Sequence, residues 1–214
     1  MPTFSHDQTP IAQLDAIGVF TADDMKSVMS LRAQSRMRGY YATPLRPLAE
    51  GKVRCVGEPV VAIIAETRYL AEEAAELIEI QYQPLPAATD GAPLLHEDAG
   101  SNVVVAREFA RGDVDMDIAK AAVIVGGRFR FHRKTPVAIE NRACLAEYRA
   151  GSLTLHSTTQ IPGIVRDALA EALHLPANSV RVIAPDVGGG FGGKASVYPE
   201  ELLVAAAARE LGRP

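Results

Sequence analysis

Apolar positions along this chain switch repeatedly between the spacing of a strand and that of a helix. Ala16-Ile17-Gly18-Val19-Phe20 is a short apolar run that predicts a strand, and Thr21 followed by Asp23 and Asp24 has the form of a helix start. Residues 30 to 50 hold several arginines, two adjacent tyrosines, Pro44 and Pro47, and read as a surface loop with solvated charges. Val53 to Ala65 supplies two apolar strand runs hinged at Gly57 to Pro59. Then the period changes. Leu70, Ala74, Leu77 and Ile78 recur at helical spacing, Glu72, Glu73, Glu76 and Glu79 occupy the remaining face, and Thr67 stands where a cap is needed. Ile80-Gln81-Tyr82 predicts a return strand that Pro84-Leu85-Pro86 stops. The β-α-β order predicts a small α/β unit.

Residues 87 to 120 are mixed in character, with Gly91, Pro93, Gly100 and the acidic Asp113-Val114-Asp115-Met116-Asp117, and are expected to form a linker. Beyond it, Ala122 to Phe131, Arg142 to Tyr148 and Ser152 to Ser157 read as strands. A helix follows, with Val165, Leu169 and Leu173 in its apolar stripe and Pro176 ending the run. Ser179 to Ala184 is again strand-like, and Tyr198 to Leu211 predicts a closing helix. Its Leu202, Leu203 and Ala206 are expected to need a covering layer, which points to self-association. Residues 1 to 10 carry no period and read as a mobile or altered end.

Between the last strand and the last helix lies Asp186-Val187-Gly188-Gly189-Gly190-Phe191-Gly192-Gly193-Lys194. Glycines at a strand-to-helix junction let backbone N–H groups come against a bulky ligand, and the following helix end favours negative charge. The same residues imitate two nucleotide motifs, G-x-G-x-x-G and G-x-x-x-x-G-K. Neither fits: Ala195 stands where a phosphate loop needs Ser or Thr, and no second strand ending in an acid follows. The preceding strand ends in Ser157-Thr158-Thr159-Gln160, and two successive strand ends bearing Gln160 and the glycine loop could point the same way across a sheet, where ligands collect. Glu140-Asn141-Arg142 interrupts an apolar stretch and reads as a buried ion pair joining two elements. His132, His156 and His174 have no nucleophile and acid at a triad spacing.

Composition narrows the class. A formal charge of −4 with no Lys/Arg cluster argues against nucleic acid, and 48% hydrophobic residues are enough for a core. No apolar run is long enough to span a membrane and no leader pattern is visible, so a cytoplasmic protein is expected. Cys55 and Cys144 both lie in apolar runs and read as separate buried thiols.

Taken in order, Arg54 to Val60, Ala65 to Arg68 leading to Tyr82 to Pro86, Ile139 to Arg142, Thr158-Thr159-Gln160 and Asp186 to Lys194 resemble the large subunit of molybdenum hydroxylases. This is the xanthine dehydrogenase, aldehyde oxidase and aerobic carbon monoxide dehydrogenase family. The resemblance covers residues 12 to 214 and implies an N-terminal fragment with an α+β fold: an α/β-hammerhead domain over 1–86, its first strand missing or altered, a linker over 87–120, and the first, incomplete part of the molybdenum-pterin domain over 121–214. It further implies that Gln160 lies near the molybdenum oxo group and that Gly189, Gly190, Phe191 and Gly192 line the cofactor, with Gln160 and Phe191 in catalytic roles. The cofactor implied is molybdenum-molybdopterin, with the cytosine dinucleotide form as one option. The partners implied are the remainder of the large subunit, an iron-sulfur subunit and an FAD subunit. The implied reaction is oxidative hydroxylation of an aldehyde, an N-heterocycle or carbon monoxide, and the isolated chain is expected to be inactive. Ile139 and Asn141 depart from the family pattern. A non-catalytic scaffold and a nucleotide-binding module are the competing expectations.

Overall fold

The structure is a computed structural model that describes residues 16–32, 35, 37–88, 93–132 and 134–214. The first ten residues, read as a mobile end, lie outside the described residues. The mixture of helices with separate small sheets is the α+β class that the family resemblance implies.

In the first half, β1 (Ala16–Phe20) pairs antiparallel with β4 (Ala62–Ala65), with an irregularity between Ala16 and Gly18. Between them, β2 (Leu31–Arg32) and β3 (Pro44–Leu45) form a short antiparallel pair inside the segment read as loop. Helix α1 (Arg68–Glu76) packs on β4 and buries Ala74. Its N-cap is Thr67, whose hydroxyl accepts from the Leu70 amide at 3.2 Å.

Several expectations fail here. Thr21 starts a turn and not a helix, because the Asp24 carboxylate accepts from both the Thr21 amide and its hydroxyl and closes the chain on itself. Residues 53 to 61 and 80 to 82 form no strand, although the hinge is real: Gly57 takes φ +88° in a turn in which the Glu58 amide donates to Cys55 O. Cys55 is exposed on that turn, contrary to its buried assignment. Within the stretch read as linker, Asp113 caps α2 (Val114–Lys120) by accepting from the Met116 amide. Residues 95 to 104 are fastened back onto residues 41 to 54, through Tyr41 to Asp98, Arg54 to Leu95 O and the Tyr41 amide to Val104 O.

The second half is the denser part. β5 (Cys144–Arg149) and β6 (Ser152–Ser157) form an antiparallel hairpin whose two-residue turn puts Ala150 at φ +50° and Gly151 at +81°. The chain then crosses through α3 (Pro162–Ala172) to β7 (Val180–Ile183), which pairs parallel with β6. Proline at the first turn of α3 needs no intrahelical donor there. α4 (Pro199–Leu211) covers β5 and β6 and ends at Gly212, φ +63°. Leu153, Leu155, Val165, Leu169, Leu173 and Leu202 are fully buried between these layers, and Phe20, Met25, Val28 and Leu48 of the first half extend the same core. Leu202 and Ala206 are therefore covered by this chain's own sheet, which removes the expected reason for self-association at α4.

Of the four strands expected in this half, the first, Ala122 to Phe131, does not form. Ile124, Val125, Phe129 and Phe131 are instead exposed, Val125 and Phe131 at 90% and 91%. Strand propensity alone cannot satisfy backbone groups without a neighbouring strand.

Candidate functional site

Parallel pairing of β6 and β7 sends both strand ends to one edge of the sheet. β6 continues into Thr158-Thr159-Gln160 and β7 into the glycine loop, so the two segments singled out in the sequence meet there. The Gln160 amide donates to Lys194 O at 2.9 Å, and its side-chain Oε1 accepts from the amides of Gly192, at 3.1 Å, and Lys194, at 3.3 Å. Thr159, nine-tenths buried or more, adds a bond from its hydroxyl to Lys194 O. Oε1 is held by two backbone donors, and among the described residues the NH₂ of the exposed Gln160 has no acceptor and is free to donate.

The loop's own bonds explain its glycines. Gly189 donates to Val187 O and takes φ +98°; Gly193 donates to Gly190 O; Gly192 takes φ +85°. A side chain on Gly190 would overlap the Gln160 carboxamide. Phe191 itself stands at φ +49°, a left-handed conformation that costs an aromatic residue on the order of 1–2 kcal/mol, and its ring is exposed. Gly188, Gly189, Gly192, Gly193 and Lys194 all donate within the chain. Among the described residues, the amides of Gly190 and Phe191 at the loop's apex have no acceptor. Two unspent N–H groups beside an exposed carboxamide form a donor cluster suited to oxygen atoms of a ligand.

A strap of chain, residues 134 to 142, lies along the other side of the loop. Pro136 closes over Gly193, where a Cβ would come within 2.6 Å of its ring, and Glu140 closes over Gly188, where a Cβ would come within 2.7 Å. Glu140 Oε2 accepts from the Gly188 amide at 2.8 Å and from Lys194 Nζ at 2.5 Å. Lys194 is 4% exposed, and its ammonium, followed by the Gly188 amide, holds the Glu140 carboxyl below its ordinary range. Arg142 reaches to Glu200 at the head of α4 and stacks on Tyr198, 3.6 Å from the ring centre, while the Tyr198 hydroxyl donates to Gly193 O. The buried ion pair read within Glu140-Asn141-Arg142 is thus replaced by two pairs that run across to the loop and to α4. Sequence reading did not assign Lys194 a structural partner; an isolated acid in an apolar stretch and an isolated lysine closing the glycine run were the available signals. A cavity of about 510 Å³ opens between strap, loop and α4, lined by Thr135, Pro136, Ala138, Gly190, Lys194 and Tyr198 among others.

Behind the loop, Ser157 and Glu201 are buried and bonded to each other at 2.6 Å, and the other Glu201 oxygen accepts from the Tyr198 amide. Cys144 lies beside them, its thiol pushed up to about 11 by burial and by the neighbouring Glu201 and Glu200 charges. None of the described histidines enters this site, and the described residues contain no cluster of three or more metal-ligating side chains. No described helix is long and apolar enough to cross a membrane.

Comparison with known proteins gives the family. Residues 95–214 match the molybdopterin cofactor-binding domain, and residues 9–86 match the a/b hammerhead domain of aldehyde oxidase and xanthine dehydrogenase. The large subunit of nicotine 6-hydroxylase from Paenarthrobacter nicotinovorans is 34% identical over 205 residues, 92% of this chain and 25% of that protein. The carbon monoxide dehydrogenase large chain of Afipia carboxidovorans is 33% identical over 218 residues, 92% of this chain and 26% of that protein. Among solved structures, quinoline 2-oxidoreductase from Pseudomonas putida 86 superposes with a TM-score of 0.90 at 34% identity, over 99% of this chain and 28% of that one. This chain spans about a quarter of the length of the curated relatives it matches. With both domain models matched in order and relatives more than 30% identical over most of its length, the chain belongs to the molybdenum hydroxylase large-subunit family.

Proposed function

We propose that this chain contributes one wall of a molybdopterin site in an enzyme that hydroxylates an aldehyde or an N-heterocycle, or oxidises carbon monoxide. The observation that carries the reading is the pair of unspent amides at Gly190 and Phe191 beside the free NH₂ of Gln160. These residues fit the group: an oxygen-rich, anionic cofactor calls for neutral donors, and a Cβ at Gly190 would overlap the Gln160 carboxamide that supplies one of them. The cofactor, when bound, supplies a two-electron acceptor and a Lewis acid.

The chain's own residues bind, orient and shield. Gln160 and the Gly190 and Phe191 amides donate to cofactor oxygens, at no reorganisation cost because Oε1 of Gln160 is already tied to Gly192 and Lys194. Phe191 and the aliphatic side chains of the strap shield the substrate side from water. In this reading residues 1–86 form the hammerhead unit, 87–120 a connection and 121–214 the cofactor-binding part. The remaining cofactor grip and the proton-accepting base come from the rest of the large subunit, and electrons leave through iron-sulfur and FAD subunits in the cytoplasm. The cytosine dinucleotide form of the cofactor belongs to the same proposal.

The test is metal and pterin analysis of the large subunit containing this chain, beside the variant Gln160→Ala. We expect molybdenum and pterin in both, with turnover in the variant reduced roughly 10- to 1000-fold for the loss of one donor. Absence of both from the unmodified protein would refute the reading.

A further inference from the structure

The strap and the loop run past each other in register: Pro136 faces Gly193, Ala138 faces Gly189 and Glu140 faces Gly188. Among the described residues one ionic contact joins them, and it is more enclosed than the Arg142–Glu200 pair beside it. Lys194, 4% exposed, has Glu140 as its ion-pair partner, and the same carboxylate oxygen takes the Gly188 amide. Lys194 is also the residue whose backbone N–H and C=O both bond to Gln160. Glu140 is therefore linked to Gln160 through Lys194 at one end of the loop, and it holds the backbone that leads to Gly190 and Phe191 through Gly188 at the other.

We infer that Glu140 is a positioning residue, which holds the glycine loop from both ends so that the Gly190 and Phe191 amides and the Gln160 carboxamide face one point. The inference rests on the cofactor reading only for its purpose; the ordering of the loop stands without it. A left-handed Phe191 persists only where its surroundings over-determine it, and the two-ended bond to Glu140 supplies that constraint. The charged groups around Glu140 are Lys194 on the loop, and Arg142 and Glu200, which pair with each other across to α4. The depressed carboxyl means that Glu140 stays ionised, and the clamp closed, above the usual glutamate range; acid opens it only as pH falls through the lowered value.

The experiment is nuclear magnetic resonance of the full, isotope-labelled chain, without cofactor, over an acid titration and with hydrogen exchange. In the unmodified chain we expect the amides of Gly188, Gly190, Phe191, Gly192 and Lys194 to shift together, with one midpoint below the usual glutamate range. Glu140→Gln should abolish that shared titration yet keep the loop protected, because one carboxamide oxygen can accept both bonds. Glu140→Ala should raise exchange roughly tenfold or more at Gly188, Gly192 and Lys194, with the β6 amides unchanged. Titration of Gly188 alone, with Gly190 to Lys194 unmoved, would overturn the inference; so would wild-type protection of Gly192 and Lys194 in Glu140→Ala. Should Glu140→Ala not fold, the wild-type titration and the glutamine variant decide. A clamped loop in a protein that takes up no molybdenum would refute the cofactor reading and leave this one intact.

Discussion

Two segments of the second half both read as strands from their residues and have opposite fates. Cys144 to Arg149 becomes the strand β5, with Ala146 1% exposed, whereas Ala122 to Phe131 forms no strand, with Phe131 91% exposed. The difference is the neighbour. β5 meets β6 across a two-residue turn and α4 closes over it, so its backbone bonds and its apolar face are satisfied at short range. Residues 122 to 131 have no such neighbour among the described residues. An apolar pattern states a demand for burial, and the rest of the chain decides whether it is met.

The sharpest way to break this comparison is to empty one side of it. Leu155, fully buried in β6, should cost about 2–5 kcal/mol when replaced by alanine, read as a shift in the denaturant midpoint. Phe131→Ala in the exposed segment should change stability by no more than about 0.5 kcal/mol. Equal effects would mean that the segment is packed in solution. A smaller effect sharpens the buried side: Ser157→Ala leaves a buried Glu201 oxygen without its hydroxyl donor, and should cost about 1–3 kcal/mol in the same melt.

The exposed side makes its own claim. Replacing Phe129 and Phe131 together by serine should lower any self-association seen by sedimentation, while changes on α4 should not. The two thiols extend the contrast to chemistry. Exposed Cys55 should be alkylated first, and Cys144 should resist until pH approaches about 11, since burial keeps its proton on. Because the folded thiol holds its proton more tightly than the unfolded one, that contribution to stability is present below the unfolded thiol's range. It is lost as pH rises towards about 11. The smallest expected effect is at the hairpin turn, where Ala150→Gly removes the left-handed strain of Ala150 and should stabilise by about 1 kcal/mol or less.

What the sequence disclosed follows from the same contrast. Thr67 as a cap, α3 with its Val165, Leu169 and Leu173 stripe, and the meeting of Gln160 with the glycine loop were legible because each depends on local pattern or on the parallel rule for successive strands. The Glu140–Lys194 and Arg142–Glu200 pairs were not, since each joins residues more than fifty positions apart and no periodicity encodes that distance. Cys55 was misread because its apolar neighbours lie on a turn, where Gly57 at positive φ overrides the run. The imitation of a phosphate loop was resolvable from Ala195 alone, which stands where that motif needs a hydroxyl. The loop's real distinction, two unspent amides, required coordinates.

The central claim is that the Gly190 backbone must approach a cofactor while Gln160 stands beside it. The measurement that tests it most directly is molybdenum content of the large subunit containing Gly190→Val, read together with its melting temperature. The added branch would overlap the Gln160 carboxamide and crowd the loop's apex, so the account expects molybdenum to fall severely while the β5–β6–β7 module melts nearly as before. Full metal content with full turnover in that variant would contradict it, and the glycines would be a turn and nothing more.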